Sequence, residues 1–203
     1  MRLHHMRPNP ALNLAPFGRW TLRQAAQRRL ALRLGIKRNG AVEMEWSRGQ
    51  FTVTTNPEKQ DLEVVHGFLS QSYWAKGIPK TTVARSLKGA LCFALLCSGK
   101  QIGFARVISD FATIAYLGDV FILPEYRGQG LSKWLMDCVS SHPDLQGMRR
   151  WILATSDAHD LYEKYGFTAL KQPNVFMERH NPNVYSTDAQ QKLFEPTPIG
   201  AAQ

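Results

Sequence analysis

The residues with the clearest chemical potential lie in one segment, Tyr116-Leu-Gly-Asp119-Val120-Phe121-Ile122-Leu-Pro124-Glu-Tyr-Arg127-Gly128-Gln129-Gly130-Leu131-Ser132. It reads as a buried strand stopped by proline, a turn carrying two glycines, and a helix that begins at once. Such a turn leaves several backbone N–H groups and the positive end of a helix aimed at one spot. That spot suits a phosphate, because glycine lets the backbone approach without a Cβ and Arg127 adds a cation matched to phosphate oxygens. The triphosphate loop GxxxxGK[ST] is absent. A dinucleotide fingerprint fails too, because the third glycine position of GxGxxG holds Lys133 and no acid follows about 20 residues on at a strand end. The spacing R/Q-x-x-G-x-G/A remains: Arg127-Gly128-Gln129-Gly130-Leu131-Ser132 meets it, with a serine small enough for the last position. The competing reading of the same residues is a tight strand-to-helix connection with no ligand.

Several side chains near this segment could carry protons or charge. Asp119 sits in an otherwise apolar strand, where a buried carboxylate is costly unless partnered. Arg106 interrupts the apolar run Ile102-Gly-Phe-Ala-Arg-Val-Ile and needs an anion, either a substrate carboxylate or Asp110 or Asp119. His66 and His159 titrate in the range useful for a base, although each also fits a solvated or packed histidine.

The elements that must position these groups follow from periodicity. Phe51 to Thr55 reads as a strand. Asn56-Pro57-Glu58 then opens a helix, with Leu62, Val65, Phe68 and Leu69 on its inner face to about Ser72. Tyr73 and Trp74 lie in a loop that ends at Pro79, and a short helix covers about Thr81 to Leu87. Leu91 to Cys97 and Gln101 to Ser109 form a hairpin through Ser98-Gly99-Lys100. A third strand covers Ile114 to Leu123, and a helix with Leu131, Leu135, Met136 and Val139 inward follows the glycine turn. Then come a strand at Trp151 to Thr155, a helix over Asp157 to Tyr165, and a final strand at about Asn174 to Arg179.

The chain has 203 residues, 44% of them hydrophobic, which supports one core of ordinary size. No apolar run approaches ~18 residues, so no membrane-spanning helix is expected and a soluble, cytoplasmic chain is. Three cysteines, Cys92, Cys97 and Cys138, form no CxxC pair and fit a reducing compartment; no metal is expected. The net charge is +9, yet residues 1–50 hold ten Lys/Arg against two Asp/Glu, while the remaining residues hold fifteen against fourteen. Basicity is therefore an N-terminal property, and nucleic-acid binding by the folded body is not expected.

Residues 1–43 are expected to be a basic extension, poorly ordered or carrying a short amphipathic helix from Thr21 to Leu34 for a membrane surface or acidic partner. A targeting segment fits less well, because no serine precedes Ser47. Residues 44–180 form the working domain, and 181–203, with Pro182, Pro196 and Pro198, an irregular tail.

Two motifs thirty residues apart, Pro124-Glu-Tyr-Arg-Gly-Gln-Gly-Leu131 and Ala158-His-Asp-Leu-Tyr-Glu-Lys-Tyr-Gly-Phe167, make the chain resemble the GNAT superfamily of acyl-CoA-dependent N-acetyltransferases. The resemblance runs from about residue 51 to 179. It implies an α/β fold: a central mixed, mostly antiparallel sheet with two splayed strands and helices on both faces. It implies acetyl-CoA as cosubstrate, with the pantetheine arm against the backbone of Val120, Phe121 and Ile122 and the diphosphate on the N–H groups from Arg127 through Gly128, Gln129, Gly130 and Leu131 to Ser132. An N–H near Ile122 would polarise the thioester carbonyl.

Tyr162 stands where the family places the acid that protonates the leaving thiolate, and Asp119 is the candidate base. Thr155 takes the place of a cofactor-contacting residue. Tyr116 occupies the place where some relatives carry a catalytic glutamate. Tyr73, Trp74, Arg106 and Tyr116 are the candidate substrate contacts, for a primary amine on a small molecule or peptide. Two other classes compete with the enzyme: a non-catalytic acyl-CoA-binding module, and a protein that docks partners through the basic arm. A homodimer is compatible with any of the three.

Overall fold

The computed structural model describes residues 41–186 and the backbone of residues 37 and 38. The expected helix at Thr21–Leu34 and most of the tail lie outside the described residues. Strands β1 (Lys37–Arg38) and β2 (Ala41–Val42) pair as a small antiparallel ladder. The main sheet has six strands in chain order: β3 (Glu45–Arg48), β4 (Phe51–Thr54), β5 (Leu91–Cys97), β6 (Lys100–Ser109), β7 (Ile114–Ile122) and β8 (Arg150–Ile152). Neighbours are antiparallel except β7 and β8, which are parallel. Among the described residues the α-helices are α1 (Leu62–Leu69), α2 (Lys80–Lys88), α3 (Leu131–Ser140) and α4 (His159–Glu163).

Two cores sandwich the sheet, which explains why β5 reads as a continuous apolar run rather than an alternating one. On one face, Phe93, Leu95, Ala105, Val107 and Leu117 pack under Leu131, Leu135, Met136 and Val139 of α3. On the other, Cys92, Phe104 and Phe121 meet Val65 and Leu69 of α1 and Val83 of α2. Burying each of these large aliphatic side chains contributes roughly 1.5–3 kcal/mol. Helices thus cover both faces, as expected, and the apolar spacing of α1 and α3 names their buried sides correctly.

Four expectations are corrected. Asn56 caps only a 3-10 turn at Pro57–Lys59, and α1 starts later with Asp61 as its cap, accepting from the N–H groups of Glu63 and Val64. The strand expected over Trp151–Thr155 pairs only as Arg150–Ile152. No strand forms at Asn174–Arg179: a 3-10 turn occupies Pro173–Val175, Val175 and Met177 are both exposed, and Phe176 between them is only half-buried, against Arg150. Packing also begins before the expected boundary at residue 44. Ala41 and Val42 are buried, because Val42 N–H donates to Asp144 at 2.6 Å and its carbonyl lies 3.1 Å from His142 Nε2.

Candidate active site

The site begins where β7 leaves its neighbour. β7 and β8 pair only at Ile114–Arg150, Ala115–Trp151 and Tyr116–Ile152, after which β8 ends and β7 runs on for six residues. The strands therefore splay as expected. β7 itself is broken by a bulge opposite Phe104–Arg106, with Asp119 in the left-handed region at φ 54°. A non-glycine residue there costs roughly 1–2 kcal/mol, and bulges re-aim side chains. The Asp119 carboxylate is accordingly turned onto two donors, Arg106 Nε at 2.6 Å and Trp74 Nε1 at 3.1 Å. Asp119 is thus the anion that Arg106 required. Asp110 instead caps the 110–114 turn, where the Thr113 hydroxyl and three backbone N–H groups hold its carboxyl well below the usual range.

Beyond the bulge, Leu123 N–H bonds to Ile102 O at 2.8 Å, so antiparallel alternation turns the N–H and C=O of Ile122 into the gap. The Ile122 carbonyl accepts from Arg127 Nε at 3.0 Å, which fixes this guanidinium beside the gap. The Phe121 side chain packs away from it, stacked on Phe68 at 3.9 Å, and Val120 packs against the main core.

The glycine turn follows a 3-10 turn at Pro124–Tyr126. Gly128 (φ 77°) and Gly130 (φ 72°) are both left-handed, with nothing within 4 Å of where a Cβ would stand. Gly130 is the N-cap of α3 and offers no side chain to its own helix. Among the described residues, the N–H groups of residues 128–133 donate to no protein acceptor. Leu131 is buried and anchors the turn, Ser132 is half-buried, and Gln129 is exposed. Free N–H groups at a helix N-terminus suit an anion such as a phosphate.

Tyr162 lies on α4, its ring buried and edge-on to Phe167 at 5.9 Å. Its hydroxyl has no protein partner among the described residues. Burial, with Tyr73 and Asp157 nearby, pushes the phenol up to about 12, so it keeps its proton throughout the neutral range. Tyr165 has a different role. Its hydroxyl lies 2.6 Å from Lys133 O and 2.9 Å from Asp137, tying the end of α4 to α3.

Tyr73 and Trp74 bridge the splayed strands. Their rings meet edge to face at 4.9 Å; Trp74 holds Asp119 on β7, and Tyr73 Oη accepts from Ser156 N–H beyond β8 at 3.1 Å. The bridge to Ser156 has no signature in the sequence. The bulge has one, because Gly118 in mid-strand marks such irregularities. Thr155 lies beyond the end of β8. Its hydroxyl accepts from Ala158 N–H at 3.1 Å and Asp157 N–H at 3.4 Å, shaping the turn into α4. Tyr116 sits on the last β7–β8 pair, over Gly118. His66 Nε2 lies 3.2 Å from Ile78 O and holds the 73–79 loop, whereas His159 is exposed at the start of α4. Cys92, cross-strand from Arg106, is pushed up to about 12 by burial and stays a thiol.

Among the described residues, no group of three His, Cys, Asp or Glu is placed to hold a metal ion. No helix there is long and apolar enough to cross a membrane. A cavity of about 460 Å³ lies elsewhere, between Val42, Gln60, Leu87 and Cys92.

Comparison with known proteins agrees with this geometry. The family described as "Acetyltransferase (GNAT) domain" matches residues 88–169. A Gibberella zeae protein named for acetyltransferase activity is 30% identical over 142 residues, 59% of this chain and 79% of its own length. A GNAT-family crystal structure from Xanthomonas campestris pv. campestris is 54% identical, with a TM-score of 0.67 over 70% of this chain and 100% of its own. A structure from Deinococcus radiodurans shares the fold at 22% identity, with a TM-score of 0.54 over 71% of this chain and 95% of its own.

Proposed function

The chain belongs to the GNAT family of acetyltransferases, and from that premise we propose that it moves an acetyl group from acetyl-CoA to a primary amine by direct attack. The observation that carries the reading is the cradle of unpartnered N–H groups at residues 128–133, which opens beside the gap between β7 and β8. The N–H groups of residues 128–132 are assigned the diphosphate, with the Arg127 side chain as the neighbouring cation; the Arg127 N–H, expected among the donors, is given to Pro124 O at 3.2 Å. The backbone of Val120, Phe121 and Ile122 is assigned the pantetheine arm. Acetyl-CoA supplies an activated acyl thioester when bound.

The protein's own contribution is placement and one proton. The Ile122 N–H, turned into the gap, polarises a carbonyl oxygen lying there. Tyr162 Oη holds a proton that no other protein group accepts; it would give it to the sulfur as the C–S bond breaks, and the nitrogen, cationic once the C–N bond forms, would return a proton through water to the phenolate. Cys92 supports direct attack, since it is a buried protonated thiol and a poor nucleophile.

Asp119 is assigned a positioning role rather than the base. Both of its carboxylate oxygens already accept hydrogen bonds, Oδ2 from Arg106 Nε and Oδ1 from Trp74 Nε1. Free thiol release on mixing the full chain with acetyl-CoA and a panel of amines tests the reading. Tyr162→Phe is expected to cut kcat about 10²-fold or more with acetyl-CoA affinity retained. Unchanged kcat would remove Tyr162 as the acid, and no thiol release with any amine would remove the enzyme.

A further inference from the structure

Strand alternation shows a surface that neither helix covers. Phe104, Arg106 and Ile108 point to one face of β6, the face on which α1 and α2 pack over Phe104. Ile108 lies opposite Tyr116 on β7, and Tyr116 lies beside Ile152 on β8, so all three share that face; Ile114, two residues from Tyr116, joins them. Yet Ile108 is 44% exposed, Ile114 40% and Tyr116 39%. Large apolar side chains clustered on a sheet face, rather than scattered singly, mark a binding surface.

Its location gives it a role. The Tyr116–Ile152 pair is the last before the strands part, so the strip ends where the gap opens. At that end stand Trp74, Asp119 and Arg106, and here the charges cancel: the carboxylate is bonded to the guanidinium at 2.6 Å. At the other end the exposed Arg150 guanidinium lies 5.0 Å from the Phe176 ring centroid and keeps its charge. The strip itself contributes no carboxylate to draw a polycation, and Arg150, opposite Ile114, stands at the end away from the gap.

We propose that the acceptor is a primary monoamine with an apolar or aromatic body, which lies along Ile108, Tyr116, Ile152 and Ile114 and presents its nitrogen at the gap. This deepens the acetyltransferase reading and rests on it. It makes Ile108 and Ile114 specificity-determining residues, although neither approaches the chemistry. It also gives Trp74 a second duty, as the wall that stops the amine's body from sliding past the gap toward α1.

The test compares kcat/KM for 2-phenylethylamine and for spermidine with the full chain and saturating acetyl-CoA. The expected result is at least a tenfold preference for 2-phenylethylamine. Ile108→Ser should lower kcat/KM for that amine about tenfold, chiefly through KM, with acetyl-CoA affinity unchanged. A preference for spermidine, or no turnover of 2-phenylethylamine by a chain that binds acetyl-CoA, would overturn the acceptor class and leave the cofactor assignment standing. Failure to bind acetyl-CoA would overturn the reading beneath it. If Ile108→Glu instead converts a sedimenting dimer to a monomer and Ile108→Ser leaves amine kinetics unchanged, the strip is covered by a second copy and the proposal falls.

Discussion

His142 offers a sharp test of the packing, because its protonation state is built into the fold. The side chain is fully buried, against Trp46 and Phe93. Its Nδ1 accepts from Asp144 N–H at 3.3 Å, and its Nε2, 3.1 Å from Val42 O, must then carry the proton. A second proton would have to enter at Nδ1, facing an N–H. Burial lowers the imidazole to about 4, against a smaller opposing effect of Asp144. The folded state therefore binds the proton less readily than the unfolded chain at ~6.5. Stability from this site is complete above the unfolded value and is lost as pH falls through that window. The loss is about 2 kcal/mol at about pH 5 and approaches roughly 3 kcal/mol below pH ~4. Urea unfolding at about pH 8 and pH 5 measures it in the wild type and in His142→Asn, which keeps an acceptor for Asp144 N–H but cannot titrate. The variant is less stable at both values, yet its further loss on acidification should be about 2 kcal/mol smaller than that of the wild type. Titration of the His142 ring proton by NMR gives a second readout if the variant unfolds. Equal losses in both proteins, or a ring titrating near 6.5, would refute the reasoning.

Other expectations follow from the site. A Cβ on Gly103 would stand 2.7 Å from Ile122 Cδ1 and 2.9 Å from the Phe121 carbonyl, so Gly103→Ala should destabilise by about 1–3 kcal/mol in urea and weaken acetyl-CoA binding by shifting Ile122. Asp119→Ala leaves a largely buried Arg106 without its partner and should cost about 2–4 kcal/mol. Asp119→Asn keeps an acceptor for Trp74 and tolerates the left-handed backbone. It should lose less stability and retain kcat within about tenfold, and a loss above about 10² would return the base role to Asp119. The rate against pH should show no descending limb from Tyr162 below about pH 11, because the phenol is raised rather than lowered.

Much of the fold is legible in the amino-acid sequence. Periodicity locates α1, α3 and the β5–β6 hairpin because their apolar residues recur at one spacing and pack on one side. The glycine turn is legible because residues 128 and 130 take positive φ, which glycine adopts without strain. What escapes depends on contacts far apart in the chain. β3 leaves no clear signal because its register is set by pairing with β4, not by its own four residues, of which only Trp46 is buried. The Tyr73–Ser156 bond joins residues 83 apart. Val175, Phe176 and Met177 have the propensity for a final strand, but β8 offers only three residues for pairing. The Thr155 hydroxyl accepts from two backbone N–H groups within its own turn, a local use that its place in the strand pattern does not announce.

The central claim is that the N–H groups around Gly128 and Gly130 hold a diphosphate. Calorimetric titration of coenzyme A and of pantetheine, which lacks the diphosphate and the 3′-phosphoadenosine beyond it, into the full chain and into Gly130→Ala tests it most directly. Coenzyme A should bind at least tenfold more tightly, and Gly130→Ala, which strains the left-handed turn without a clash, should erase most of that difference. Equal affinities for the two ligands, or a difference untouched by the substitution, would contradict the account.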